Sequence, residues 1–279
     1  MDWDLVNADL SPESAAAPPA HPLIGGEIHQ RVLRELAEIE RTEDVRVLYA
    51  CESGSRAWGF ASTDSDFDVR FLYVHRRDWY LSIDERRDVI ERPISEDLDI
   101  SGWDLRKALG LLRKSNPPLL EWLKSPIVYR RDPVFMAEFS ALAADWFSPS
   151  RCFAHYLHMA AGNWRKYLEG RPEVKLKKYL YVFRPLLACR WIERRSGQVP
   201  MLFQELVDGV LEEDGVREAL QALVSRKMAG VELDMEPHVP ALSDFLSSEI
   251  VRLETLSEPE PTSRGTEELN KFFQRYTID

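Results

Sequence analysis

Two apolar runs, joined through a glycine-serine turn and followed by alternate carboxylates, constrain this chain more than any other stretch of it. Val45-Arg46-Val47-Leu48-Tyr49-Ala50-Cys51 is β-branched and apolar and reads as a buried strand, ended by Glu52-Ser53-Gly54-Ser55. Glycine at position 54 permits a sharp turn and close approach of the backbone to a ligand. Ser55 then opens a short helical turn, where its hydroxyl and free N–H groups can face a phosphate and the local dipole favours negative charge. Residues 67–74 read as the next strand, because Phe67, Val69, Phe71 and Tyr73 alternate with Asp68, Arg70 and Leu72. Side chains two apart on a strand share a face, so Asp66 and Asp68 are predicted to project together.

Two carboxylates held side by side repel each other, and hard oxygen donors of this kind suit Mg²⁺ or Mn²⁺, which relieves the repulsion. Such metals hold triphosphate oxygens and neutralise developing charge, chemistry that asks for a third carboxylate. Asp99 is the best candidate, an acid flanked by Leu98 and Ile100 in a short strand, with residues 87–91 as its hairpin partner. Asp97 shares the Asp99 face and is the rival. Asp104 is more simply the N-cap of a helix over 105–114. Arg56 and Arg70 admit two readings, bidentate phosphate binding or neutralisation of the carboxylate cluster.

Gly-Ser, then Asp-x-Asp, then an apolar-Asp-apolar strand resembles the DNA polymerase beta nucleotidyltransferase superfamily. The fuller wording, Gly54-Ser55-Arg56-Ala57-Trp58-Gly59-Phe60 followed by Ser65-Asp66-Phe67-Asp68-Val69-Arg70-Phe71-Leu72-Tyr73, is similar to bacterial nucleotidyltransferases of the YcgL/RlaP type, some of which are associated with RNA ligases. The stretch around Leu98-Asp99-Ile100-Ser101-Gly102 and Lys175-Leu176-Lys177-Lys178-Tyr179-Leu180-Tyr181 agree as well, so the resemblance spans residues 45–195. It implies that Gly54 and Ser55 contact nucleotide phosphates and that Asp66, Asp68 and Asp99 hold the metals, with Asp99 supporting the acceptor hydroxyl. It also implies a fold of the α+β class, with a small mixed or antiparallel sheet flanked by helices, and a helical domain that closes the nucleotide cleft.

The net charge of -11 argues against a polyanion partner until its distribution is read. Residues 165–195 hold ten Lys and Arg against three Glu, and the acid lies largely beyond residue 200. Within that segment Leu176, Leu180, Phe183, Leu187 and Trp191 recur at helical spacing, with Lys177, Tyr181 and Arg184 along the flank of the stripe. Lys177, Lys178 and Tyr181 are therefore candidates for triphosphate or base contact, and a solvated helix face is the competing reading.

Other periodic stretches predict an opening helix over 25–41, an edge strand near 127–130 and helices over 117–124 and 133–146. Ser148-Pro149-Ser150 reads as a domain boundary, giving a flexible lead-in at 1–22, a catalytic domain at 23–147 and an all-helical domain at 148–279. A linker is expected at 258–262 and a closing helix at 266–276. The 44% hydrophobic and 30% charged composition is that of a globular chain, and no apolar run is long enough to span a bilayer. Cys51, Cys152 and Cys189 are odd in number and widely spaced, which points to reduced core thiols and a cytoplasmic protein. His155 and His158, three apart on a helix, lack a third metal ligand nearby.

Three functions fit. The first is an enzyme that moves a nucleoside monophosphate from an NTP to an RNA 3′ end, with release of pyrophosphate. The second keeps the chemistry and changes the acceptor to a protein side chain or small molecule, as in toxin-like or resistance-type transferases. The third is a non-catalytic nucleotide-binding module whose helical part engages a partner.

Overall fold

In the computed structural model the two apolar runs become antiparallel neighbours, and the strand that carries Asp99 joins them on the far side. The structure describes residues 24–94, 97–195, 197–231, 233–256 and 264–277. The expected lead-in at 1–22 and linker at 258–262 lie outside them. Helix α1 (Gly26–Glu43) leads through Asp44, in the left-handed region, into β1 (Val45–Glu52). A single helical turn, α2 (Gly54–Ala57), and a loop precede β2 (Phe67–His75). A short α3 (Arg77–Tyr80), β3 (Val89–Glu91) and β4 (Leu98–Asp104) follow. Helices α4 (Leu105–Leu112) and α5 (Pro117–Trp122), the edge strand β5 (Val128–Arg131) and α6 (Pro133–Trp146) complete the first half.

The five strands lie in the order β3-β4-β2-β1-β5. Only β2 and β4 run parallel; the other neighbours are antiparallel. This mixed sheet separates two apolar layers. On one side Val45, Val47, Val69, Phe71, Tyr73 and Ile100 pack against Val32, Leu36 and Ile39 of α1, the stripe its helical spacing predicts. On the other, Leu48, Cys51, Leu72 and Val74 meet the helices. A register shift between Val47 and Tyr49 turns both Leu48 and Tyr49 to the helical side, after which alternation resumes. Since Val69 and Phe71 face α1, Asp68 and Arg70 face the helices.

The second half comprises α7 (Pro149–Tyr167), β6 (Glu173–Lys175), α8 (Lys177–Arg195), α9 (Phe203–Val210), α10 (Asp214–Met228), β7 (Met235–Pro237), α11 (Pro240–Glu254) and α12 (Glu267–Tyr276). The helices match the periodicity. The two-stranded ribbon β6-β7 was not expected, because three-residue strands are too short to show a period. Ser148 caps α7, its hydroxyl accepting from the Arg151 N–H, and the apolar core runs unbroken from Leu48 past this point to Tyr276. The closing helix α12 docks on α6: Phe272 packs on Phe139 at 5.6 Å, and the Tyr276 hydroxyl donates to Glu138 at 2.9 Å.

Candidate active site

Gly54 explains why this turn needs glycine. Its φ is +59°, and an added Cβ would overlap Asp68 Oδ2, so the absent side chain lets the β2 carboxylate lie against the turn. The Ser53 N–H donates to the Asp68 carbonyl at 2.8 Å, and the Asp68 N–H donates to Glu52 Oε1 at 2.8 Å. Glu52 is fully buried and also accepts from the Tyr129 hydroxyl at 2.5 Å. Burial pushes its carboxyl up to about 7, against the pull of those donors. The result is a buried bracket that ties β5, β1 and the backbone of Asp68 together.

Asp68 and Asp99 are register partners on the parallel strands β2 and β4. Leu98 and Ile100 both sink into the α1 side, which leaves Asp99 on the face of Asp68. Between them lies Arg70: its Nη2 donates to Asp68 Oδ1 at 3.1 Å and to Asp99 Oδ2 at 2.8 Å. Of the two readings for Arg70, the structure shows neutralisation. Burial nonetheless raises the Asp68 carboxyl, with Asp99 and Asp66 adding to the rise and Arg70 opposing it. Asp97 turns away, its carboxylate 3.5 Å from Arg31. Asp104 caps α4 by accepting from the Arg106 N–H at 2.7 Å, as its sequence position predicts.

Asp66 precedes β2 and is exposed, yet it meets Asp68 at the rim of one cavity with Ser55, Lys177, Tyr181 and Lys227. Lys227 comes from the last turn of α10, its ammonium 3.5 Å from Ser65 Oγ. Burial lowers its pKa, with Lys177 adding to the fall and Asp64 and Asp66 opposing it. Tyr181 stands 6.1 Å from Trp58, ring edge to face, and its hydroxyl is raised by burial and then by Asp68 and Asp66. Trp58 in turn donates to Glu121 at 3.1 Å, and the Phe203 N–H donates to its carbonyl, so the glycine-serine motif is fastened to the second half of the chain.

Four candidates do not line this cavity: Gly54, which backs Asp68, Asp99, which meets Asp68 through Arg70, and Arg56 and Lys178. Arg56 lies over the Phe67 ring at 3.8 Å and donates to the carbonyls of Ser65 and Asp66, which fixes the loop that carries Asp66. Lys178 points to Tyr167 and lines a neighbouring cavity. The flank read as Lys177, Tyr181 and Arg184 is divided: Arg184 is 1% exposed and bonded to Glu121 at 3.2 Å. Among the described residues no three His, Cys, Asp or Glu side chains form a metal-sized cluster, His155 and His158 included. The carboxylates on β2 and β4 still fit a cation, because they already converge on the cationic Nη2 of Arg70.

Sequence reasoning missed Lys227 and the role of Glu52. Nothing local marks Lys227, which belongs to the site only because α10 ends there. Glu52 did carry a signal, an acid closing an otherwise apolar strand. No helix among the described residues is long and apolar enough to cross a membrane.

Residues 28–275 match the family described as RlaP, the RNA repair pathway DNA polymerase beta family. The chain is 47% identical over 244 residues to the uncharacterized protein YcgL of Bacillus subtilis (strain 168), covering 87% of this chain and 94% of that one. It is also similar to the crystal structure of a nucleotidyltransferase-like protein from Exiguobacterium sibiricum 255-15, with 11% identity and a TM-score of 0.32 over 82% of this chain and 74% of that one. Matched over nearly its whole described length, with its motif set in a mixed sheet, the chain belongs to the RNA repair pathway DNA polymerase beta family.

Proposed function

We propose that this chain transfers a nucleoside monophosphate from an NTP to the terminal hydroxyl of an RNA 3′ end and releases pyrophosphate. The observation that carries the reading is one cavity where Ser55, Asp66 and Asp68 face Lys177, Lys227 and Tyr181. Carboxylates for cations and lysines for phosphate oxygens, brought to one cavity, are the two parts a triphosphate site needs. Neither lysine has an ion-pair partner within 4.0 Å among the described residues.

Asp66, Asp68 and Asp99 are the residues that would hold divalent cations, Mg²⁺ or Mn²⁺, which neutralise phosphoryl charge when bound. Gly54 keeps the wall thin where Asp68 reaches the turn, and Ser55 offers its hydroxyl and N–H to phosphate oxygens. Lys177 and Lys227 counter the charge of the departing pyrophosphate, and Tyr181 gives the nucleoside an aromatic wall. The acceptor oxygen bonds the α-phosphorus as the bridge to the β-phosphorus breaks; pyrophosphate takes that electron pair, and the acceptor proton passes to solvent.

The RNA acceptor is supported by the family description and by the cations Lys166, Arg171, Lys175 and Lys178 that line a neighbouring cavity. An RNA ligase is the natural functional partner, since a nucleotide added at a damaged end leaves a 3′ hydroxyl ready for joining. The test is incubation with each NTP labelled at the α-phosphate, Mg²⁺ or Mn²⁺, and RNA bearing either a free or a phosphate-blocked 3′ end. Label on RNA that requires the free hydroxyl is expected; label on protein, or none on RNA, contradicts the reading.

A further inference from the structure

A second cavity adjoins the first through residues that are consecutive in the chain. Lys177 and Lys178 are consecutive, and so are Asp234 and Met235; the first of each pair lines the catalytic cavity, the second lines the neighbouring one. Both pairs adjoin the β6-β7 ribbon, where Lys175 is the register partner of Met235. The partition between the cavities is thus a two-stranded edge and one turn of α8. Lys178 spans it, its ammonium 4.4 Å from the Tyr167 ring centre and 5.0 Å from that of Tyr181.

The second cavity is cationic around an aromatic centre. Lys166 sits 4.9 Å from the same Tyr167 ring, and Lys166 with Lys178 draws the tyrosine hydroxyl below its ordinary value. Lys175 and Arg171 complete the rim, opposed by Glu173. None of the four cations has a carboxylate within 4.0 Å among the described residues, whereas Arg184, Arg190, Arg194 and Arg252 each bind glutamate. In a chain of net charge -11, unpaired cations gathered about a tyrosine mark a site for an anionic partner. Aromatic faces flanked by cations are how single-stranded nucleic acid is held without sequence readout.

We propose that the cleft formed by α7, the β6-β7 ribbon and α8 binds the single-stranded RNA immediately upstream of the acceptor 3′ end, with one base on Tyr167 and backbone phosphates on Lys166, Arg171, Lys175 and Lys178. The inference rests on the RNA-acceptor reading above. It adds the path of the strand: over the partition at Lys178 and Tyr181 and down to the carboxylates.

Fluorescence anisotropy of a short labelled single-stranded RNA with a free 3′ hydroxyl tests it, across a series of salt concentrations, with ATP affinity measured separately by calorimetry. Lys166 and Lys175 are exposed, so Lys166→Ala/Lys175→Ala keeps the fold. It is expected to weaken RNA binding and lower the slope of log affinity against log salt by about 1.4, at about 0.7 per phosphate contact. Tyr167→Leu is expected to lower RNA affinity at least about fivefold with the slope unchanged. ATP affinity stays the same in both. Unchanged RNA affinity and slope, an equal loss of ATP affinity, or displacement of the RNA by polyglutamate as readily as by unlabelled RNA would overturn the proposal. RNA binding that responds as expected without nucleotidyl transfer defeats the catalytic reading alone; transfer with RNA binding unaffected by the variants defeats the cleft alone.

Discussion

The start and the body of α8 both carry cations and put them to opposite uses. At the start, Lys177 and Lys178 face cavities and form no ion pairs among the described residues. In the body, Arg190 is 4% exposed and binds Glu249 at 2.6 Å and Glu213 at 2.7 Å, while Arg184 is folded against Glu121. The difference is the company each keeps. The body of the helix is met by glutamates that compensate its buried guanidinium groups: Glu121 from α5, Glu213 at the N-cap of α10 and Glu249 from α11. The start faces the two cavities, where the lining carboxylates Asp64, Asp66, Asp68, Asp234 and Glu173 form no ion pair with it. A count of charges along the sequence therefore overstates the basic surface: the excess is real, but much of it is internal structure.

The contrast breaks first if the cavity at the start of α8 is inert. Asp68→Asn is expected to cut nucleotidyl transfer about a hundredfold to a thousandfold, the scale of removing one preorganised electrostatic group. Because burial raises the Asp68 carboxyl, its charge is not favoured by folding, and denaturant unfolding of this variant is expected to match the wild type within about 1 kcal/mol.

Next in size is Arg190→Met, which leaves two glutamates short of a partner in the helical body. It is expected to cost about 3 kcal/mol by chemical denaturation, at the lower end for a broken buried pair, because Arg252 still holds Glu249. Arg184→Met is expected to cost clearly less. Glu121 keeps donors from Trp58 and Tyr156, and the Nε and Nη1 atoms of Arg184 are buried without hydrogen-bond partners among the described residues. Equal losses for the two would erase the distinction drawn between them.

Lys177→Ala sharpens the other end. It is expected to raise the KM for NTP about tenfold, the equivalent of about 1.4 kcal/mol, with melting behaviour unchanged. A stability loss without a kinetic change would make Lys177 another structural cation.

The smallest effect is in acid. Arg190 holds the Glu213 carboxyl below its ordinary value; burial would raise Glu249, but Arg252 and Arg190 outweigh it and leave it lowered. A carboxyl whose folded pKa is depressed stabilises the fold above its unfolded pKa, near 4.5, and loses that contribution as pH falls through the folded value. Stability measured from pH 6 downward is therefore expected to fall less steeply in Arg190→Met than in the wild type. A steeper fall in the variant contradicts the pairing.

The strand pattern was legible because alternation and helical spacing are local. Phe67, Val69, Phe71 and Tyr73 announced their common face, and Pro133 to Trp146 could be bounded from its proline and its apolar spacing. The glycine-serine turn and Asp-x-Asp were legible for the same reason. What remained hidden depends on elements far apart in the chain. Lys227 reaches Ser65 across 162 positions, and no spacing rule covers that. Arg70 was visible as a cation two residues from Asp68, but only the register of β2 on β4 shows that it spans both acids. Asp66 was read as a strand residue; it lies one position before the strand, so its nearness to Asp68 comes from the loop that Arg56 holds.

The most direct test is a crystal structure of this chain with Mg²⁺ and a non-hydrolysable NTP analogue. The expected result places the triphosphate between Ser55 and the pair Lys177 and Lys227, with Asp66, Asp68 and Asp99 on metal and the Arg70 guanidinium withdrawn from between the carboxylates. Phosphates bound elsewhere, or Arg70 still bridging Asp68 and Asp99 with nucleotide present, would contradict it.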